Sequence, residues 1–172
     1  MRVCGLEEFD RICNFYRHVI DNTENMTVCC RWIYGLHPTD AMISGYLKEG
    51  AMYCLEDKGE FLAVAAVIPY QPEEYHGMNW QLDLKDDKVS SIHLFAVNPD
   101  CFRHGIAKKF VNEIIDHSRS EGKKAVRLDV LESNIPAQKL YESLGFVKRD
   151  TARWCPANIG WVDFLLYEYV VI

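Results

Sequence analysis

Leu94-Phe95-Ala96-Val97-Asn98-Pro99-Asp100-Cys101-Phe102-Arg103-His104-Gly105-Ile106-Ala107-Lys108-Lys109 reads as the end of a strand, a short loop and the start of a helix. The apolar run stops at Asn98-Pro99-Asp100, a turn signal. The first N–H groups of a helix have no partner within it, and that end of the helix dipole is positive. Gly105 and Ala107 are small enough for a ligand to approach this backbone closely. The segment therefore suits a phosphate or pyrophosphate, with Arg103, Lys108 and Lys109 adding charge. A glycine at a helix start also serves as a plain turn residue. Neither the Walker pattern nor the dinucleotide Gly-x-Gly-x-x-Gly pattern is present, so those two phosphate sites are not indicated.

The elements to either side alternate in type. Residues 6–20 predict a helix, with Phe9, Ile12, Cys13, Tyr16 and Ile20 on one face. A second helix is expected over Asp40–Lys48, capped by Thr39 and stopped by Gly50. Asp21–Pro38 between them reads as a loop near a site or a short helix. Ala51–Leu55 and Phe61–Ile68 flank Asp57-Lys58-Gly59 and predict an antiparallel hairpin. Residues 69–88 read as a loop, and Val89–Val97 as the strand entering the opening segment. The helix after it runs from Gly105 to Ser120, burying Ile106, Phe110, Val111, Ile114 and Ile115. Ala125–Leu131 alternates, with Val126, Leu128 and Val130 inward and Arg127 and Asp129 outward. A short helix opens at Pro136, and strands are expected near Phe146–Arg149 and Val162–Val170. Alternation without repeat or linker predicts one mixed α/β domain over residues 1–172.

About thirty residues after the anion segment comes Asn134-Ile135-Pro136-Ala137-Gln138-Lys139-Leu140-Tyr141-Glu142-Ser143-Leu144-Gly145-Phe146. Together the two segments resemble the GNAT family of N-acetyltransferases. Gly105 and Ala107 fit the last two defined positions of its pyrophosphate loop, Gln/Arg-x-x-Gly-x-Gly/Ala. Phe102 stands where Gln or Arg is usual. Asn134, Ala137, Leu140, Tyr141, Gly145 and Phe146 match the family's Asn-x-x-Ala-x-x-Leu-Tyr-x-x-x-Gly-Phe signature. The resemblance is strong over residues 89–149 and looser before them.

That resemblance implies an α/β fold with a mixed, mostly antiparallel central sheet and helices on both faces. It implies transfer of an acetyl group from acetyl-CoA to a primary amine by direct attack. The strand before the loop would splay from its neighbour and hold the pantetheine arm through Phe95, Ala96 and Val97. Gly105, Ile106, Ala107 and Lys108 would give N–H groups to pyrophosphate, with Arg103 and His104 beside them. Asn134 and Ala137 would face the cofactor. Tyr141 would be the acid that protonates the leaving thiolate, a task open to a phenol of pKa ~10, or else a core aromatic on an amphipathic helix. Deprotonating a lysine-like amine at pH 7 costs ~4.6 kcal/mol, so a base matters for such acceptors. His93 is the candidate, acting directly or through water, with a structural histidine as the alternative; it matches the second histidine of a His-x-His pair in arylalkylamine members, with Ser91 at the first. Strand alternation puts Ser91, His93 and Phe95 on one face. The glutamate of histone-type members is absent near Ser91.

Trp32, Tyr34, Tyr75, Trp80 and Trp154 are candidates for an acceptor pocket or for core, with Ser91 beside them. Glu73-Glu74 reads as a solvated pair or an attraction for a cationic amine. Cys101 and His104 raise a thiol nucleophile that lacks an orienting partner.

Composition narrows the classes. The chain has 172 residues, 49% of them hydrophobic and 12% aromatic, which excludes wholesale disorder. Net charge of −6 argues against a nucleic-acid partner. No run of 18 uncharged apolar residues appears, so no membrane partner is expected. The start, Met1-Arg2-Val3-Cys4-Gly5-Leu6-Glu7-Glu8, lacks the apolar region of a secretory leader, and a cytoplasmic location follows as the expectation. Seven cysteines without a Cys-x-x-Cys pair predict reduced thiols and no metal site. The expected partners are a small-molecule or peptide amine and, because dimers are common in the resembled family, a second copy of the chain. A catalytically silent acyl-CoA-binding module on the same fold is the alternative that Phe102 keeps open.

Overall fold

The computed structural model describes residues 1–102, 104–156 and 160–171. Its strands are β1 (Arg2–Val3), β2 (Met52–Asp57), β3 (Glu60–Ile68), β4 (Val89–Val97), β5 (Ala125–Leu131), β6 (Val147–Trp154) and β7 (Val162–Val170). They form one sheet in the order β1-β2-β3-β4-β5-β7-β6. Only β4 and β5 run parallel; every other neighbouring pair is antiparallel. The helices are α1 (Phe9–Asn22), α2 (Met26–Cys29), α3 (Asp40–Lys48), α4 (Ile106–Ser120) and α5 (Ile135–Ser143).

Two apolar layers sandwich the sheet. On one face Ile12 and Tyr16 of α1 and Ile43 and Leu47 of α3 pack with Val64, Ala66 and Ala96. On the other, Phe110, Val111 and Ile114 of α4 pack with Val67, Ile92, Val126 and Leu128. Each fully buried side chain of this size stabilises by ~1.5–3 kcal/mol. The expected mixed sheet with helices on both faces is thus observed.

Local signals account for most elements. Thr39 Oγ1 accepts from the Met42 N–H at 3.2 Å and starts α3. The β2–β3 hairpin turns through Lys58 and Gly59, both at positive φ (50° and 84°), as a two-residue turn requires. Some bounds differ from those read in the sequence. A 3-10 turn (Leu6–Glu8) precedes α1, which extends to Asn22. The stretch 21–38 holds the short α2. Strand β6 continues to Trp154 because β7 pairs with it on both sides of a register shift at Lys148/Asp150, although its residues, half of them exposed, lack an apolar pattern. The two residues of β1 are too few to show a pattern at all.

Two departures from regular sheet geometry shape the centre of the molecule. Pairing of β4 with β5 ends at Ile92–Leu128, yet β4 runs on to Val97 and β5 to Leu131. Beyond that point the two strands part, and the backbone edge of β4 has no β5 partner. A β-bulge lies opposite. Val64 pairs with Ala96 but Ala66 pairs with His93, which leaves one extra residue in β4, and Leu94 takes a positive φ of 48°. The bulge reverses the alternation. Phe95 packs with Ile92 against α4, whereas His93 turns to the opposite face and stacks on Tyr46 of α3. The expectation that Ser91, His93 and Phe95 share a face is therefore corrected.

Candidate active site

A cavity of about 600 Å³ opens where β4 and β5 part. Its walls come from β4 (His93 to Val97), β5 (Asp129 to Leu131) and α5 (Asn134, Ala137, Leu140 and Tyr141). Phe95, Ala96 and Val97 thus line it from one strand, and Asn134 and Ala137 from the facing helix and its cap.

Helix α5 explains its own signature. Asn134 Oδ1 accepts the Ala137 N–H at 3.2 Å, and its amide donates to Cys30 Sγ at 3.2 Å. Its side chain therefore caps α5 and ties it to α2. At the other end Gly145 has φ of 92°, and a Cβ there would meet the Tyr169 ring at 3.5 Å. The Phe146 N–H returns to the Tyr141 carbonyl at 3.1 Å. This turn packs Phe146 edge-on to Tyr141, centroids 5.3 Å apart, with Phe95 on the other side at 6.2 Å. The Tyr141 ring is held by packing, its hydroxyl has no hydrogen-bond partner among the described residues, and burial raises its pKa well above the ordinary phenol value.

His93 lines the same cavity between Tyr46 and Tyr75, each 6.2 Å away. Its Nε2 is buried without a partner among the described residues. Burial lowers its pKa, against the opposing pull of Asp129 and Glu74, so the imidazole is neutral at pH 7.

The other end of the cavity approaches α4. Gly105 stands at the N-cap of that helix in the left-handed conformation (φ 75°) and has no side chain with which to cap it. The N–H groups of Ile106, Ala107 and Lys108 make up its first turn, and His104, Gly105 and Lys108 are exposed. None of these five lines the cavity; Phe102, exposed at the rim, joins the two regions. Arg103 lies outside the described residues.

Several residues complete the far wall. Trp32 lines the cavity, as do Tyr75 and Trp154, which stack on each other at 6.2 Å. Tyr34 does not line it: its hydroxyl donates to Asp40 at 2.6 Å and Arg17 lies over its ring at 4.2 Å, outside the cavity. Nor does Ser91, which is fully buried and donates to the Tyr70 carbonyl at 3.0 Å. Trp80 packs over Arg127 at 4.4 Å instead. The sequence reading missed His37, Tyr46, Glu49 and Asp129, all of which line the cavity. Asp129 accepts the Tyr75 hydroxyl at 2.7 Å. The signal available for it was position: it follows the last residue of a parallel pairing, at the carboxyl end of the strand, where α/β sheets place ligands. Among the described residues no group of three metal-ligating side chains occurs, and no helix is long and apolar enough to cross a membrane.

A profile of the acetyltransferase (GNAT) family matches residues 20–146. Over 72 residues the chain is 35% identical to the mycothiol acetyltransferase of Thermomonospora curvata, covering 42% of this chain and 24% of that one. It is equally identical over 72 residues to the [ribosomal protein bS18]-alanine N-acetyltransferase of Escherichia coli K12, covering 41% and 49%. The matches thus span about half or less of these relatives. In fold the chain is similar to yncA of Salmonella typhimurium, solved with its cofactor acetyl-CoA. The TM-score is 0.68 at 17% identity, over 99% of this chain and 92% of that one.

Proposed function

This chain belongs to the GNAT family of acetyltransferases, and on that premise we propose that residues 1–172 act as one N-acetyltransferase domain, moving an acetyl group from acetyl-CoA to a primary amine by direct attack. The observation that carries the reading is the parting of β4 from β5 beside the Leu94 bulge, with Tyr141 facing it across the cavity. The free β4 edge over Phe95, Ala96 and Val97 binds the amides of the pantetheine arm. The uncapped first turn of α4, Gly105 to Lys108, takes the pyrophosphate, with His104 and Arg103 beside it.

Bound acetyl-CoA supplies a thioester as acetyl donor. His93 removes the proton from the acceptor ammonium, a role its neutral, partnerless imidazole suits. The freed amine nitrogen bonds to the thioester carbonyl carbon and the carbon–sulfur bond breaks. Tyr141 gives its hydroxyl proton to the departing sulfur, the nitrogen sheds its second proton as the amide forms and so restores the phenol, and the raised pKa of Tyr141 keeps its proton in place until the sulfur departs. Trp32 bounds the acceptor side. A covalent acetyl-cysteine route finds no support: Cys30 lines the cavity, but burial pushes its thiol up to about 11, which leaves little thiolate at pH 7.

The exposed Phe102, in place of a polar loop residue, favours a second reading, a silent acyl-CoA-binding module. A melt with acetyl-CoA or ADP, followed by CoA release with an amine panel, tests both. At ~100 times its dissociation constant acetyl-CoA adds ~2.7 kcal/mol, a rise of roughly 5–11 °C. A shift with acetyl-CoA and little with ADP supports the domain's ligand. CoA release then supports the enzyme, and a shift without release supports the silent module. No shift at millimolar acetyl-CoA sinks both.

A further inference from the structure

Among the described residues, the charged side chains that line the cavity at pH 7 all carry one sign. Glu49, Glu74 and Asp129 line it, and among the described residues no lysine or arginine does. The two histidines there, His37 and His93, both have their pKa lowered by burial and add no charge at pH 7. The three carboxylates are not equivalent. Asp129 is partly buried and fixed by the Tyr75 hydroxyl at 2.7 Å. Glu49 and Glu74 are exposed at the mouth, and Glu49 accepts the Tyr70 hydroxyl at 3.3 Å. The same cavity is lined by the rings of Tyr46 and Tyr75, each 6.2 Å from His93, whose Nε2 has no partner among the described residues.

An amine must be neutral when it attacks, so the reacting nitrogen leaves no lasting positive charge to match such a site. A second, non-reacting cation does match it. Rings flanking the path suit the aliphatic chain and add cation–π attraction. Among the described residues, an acceptor carboxylate would meet only like charge.

We propose that the acceptor is a primary amine bearing a second cationic group and no carboxylate, of the α,ω-diamine and polyamine class, with its reacting end beside His93 and Asp129 and its far ammonium at Glu49 and Glu74. This rests on the transferase reading. Acetylation removes one charge from such a molecule and so weakens its hold on the site, which favours product release.

The test is kcat/KM for a four- or five-carbon diamine, the monoamine of equal length, the matching α-amino acid and a neutral peptide with a free N-terminus. A thermal melt with acetyl-CoA accompanies it on the same sample. The diamine should exceed the monoamine on the order of tenfold, the sum of two exposed charge pairs, and the amino acid should be poorest. The preference should fall as salt rises. Glu49→Gln with Glu74→Gln should collapse the diamine-over-monoamine ratio towards one, through KM and not kcat. Both side chains are exposed, so the variant should fold, and its own melt checks this. Equal or better turnover of the monoamine, the amino acid or the peptide overturns the proposal and leaves the transferase reading standing. No CoA release with any amine overturns it as well; the acetyl-CoA melt then says whether acyl-CoA binding survives.

Discussion

The Tyr16 hydroxyl donates a 2.7 Å hydrogen bond to the carbonyl of Leu94, the β4 residue whose φ is positive. Tyr16 is fully buried on α1, and Leu94 sits in the bulge that turns β4 from one face to the other. A buried carbonyl outside the regular ladder needs a donor, and this phenol supplies it. The same ring packs edge-on to Trp32, which lines the cavity, at 5.9 Å. Helix α1 thus holds the bulge that sets which side chains reach the cavity.

Tyr16→Phe should therefore act on both stability and site. The ring's packing stays while the Leu94 carbonyl loses its donor, a change worth ~1–3 kcal/mol and a melting point lower by roughly 2–12 °C. The KM for acetyl-CoA should rise with it, because the β4 edge relaxes. A lower melting point with an unmoved KM would assign Tyr16 to the core alone.

Tyr141→Phe keeps the contacts with Phe95 and Phe146 and deletes the hydroxyl. Loss of a general acid lowers kcat by ~10²–10⁴-fold. The dissociation constant of acetyl-CoA, measured by titration, should barely move. An unchanged kcat would remove the acid role from Tyr141.

These two residues mark what the sequence made legible. Tyr141 stands in a helix whose cap, glycine and aromatic all have fixed offsets, so its surroundings could be read in advance. Likewise the periodic runs of β4, α4 and β5 were legible because burial on both faces of the sheet demands them. The Leu94 bulge was not, since leucine carries no preference for positive φ and only the ladder with β3 reveals the extra residue. Strand alternation alone therefore puts His93 and Phe95 on one face. Arg127 was expected outward with Asp129, yet it is fully buried, because the loop between β3 and β4 folds over it. Tertiary contacts of this kind leave no local trace. Neither do those that bring Glu49, Glu74 and Asp129 to one cavity from three separate elements.

Burial of His93 makes a pH prediction with a definite sign. Its native pKa lies below the ordinary 6.5, so between the two values the unfolded chain holds more protons than the native one. Stability is therefore full above about pH 6.5 and lost as the pH falls below it. His37 shifts in the same direction, so His93→Gln should remove part of that loss and not all of it. The acidic limb of kcat/KM should lie below pH 6.5 and flatten in the same variant. Melting points and rates from pH 5 to 8 test both; a limb that persists in the variant places the base elsewhere.

Arg127 does not line the cavity, yet it holds the loop that brings Tyr75 to the cavity wall. Its guanidinium pairs with the fully buried Glu168 at 2.8 Å, donates to the Leu82 carbonyl at 2.6 Å and to the Gln71 side chain, and packs under Trp80. Glu168 in turn accepts the Gln81 N–H at 2.8 Å. These bonds fasten the loop between β3 and β4 to the sheet, and that loop carries Tyr75 to Asp129. Arg127→Met leaves Glu168 buried with Arg149 at 3.4 Å as its remaining cation, which should cost ~3–5 kcal/mol. Adding Glu168→Leu removes the stranded charge and should restore much of the melting point, as apolar replacement of buried pairs does elsewhere. It cannot restore the donors that hold Gln71 and Leu82. The double variant should therefore melt near the wild type while its acceptor KM stays several-fold high at unchanged acetyl-CoA affinity. A double variant with normal acceptor KM would show that Tyr75 reaches Asp129 without the Arg127 clamp.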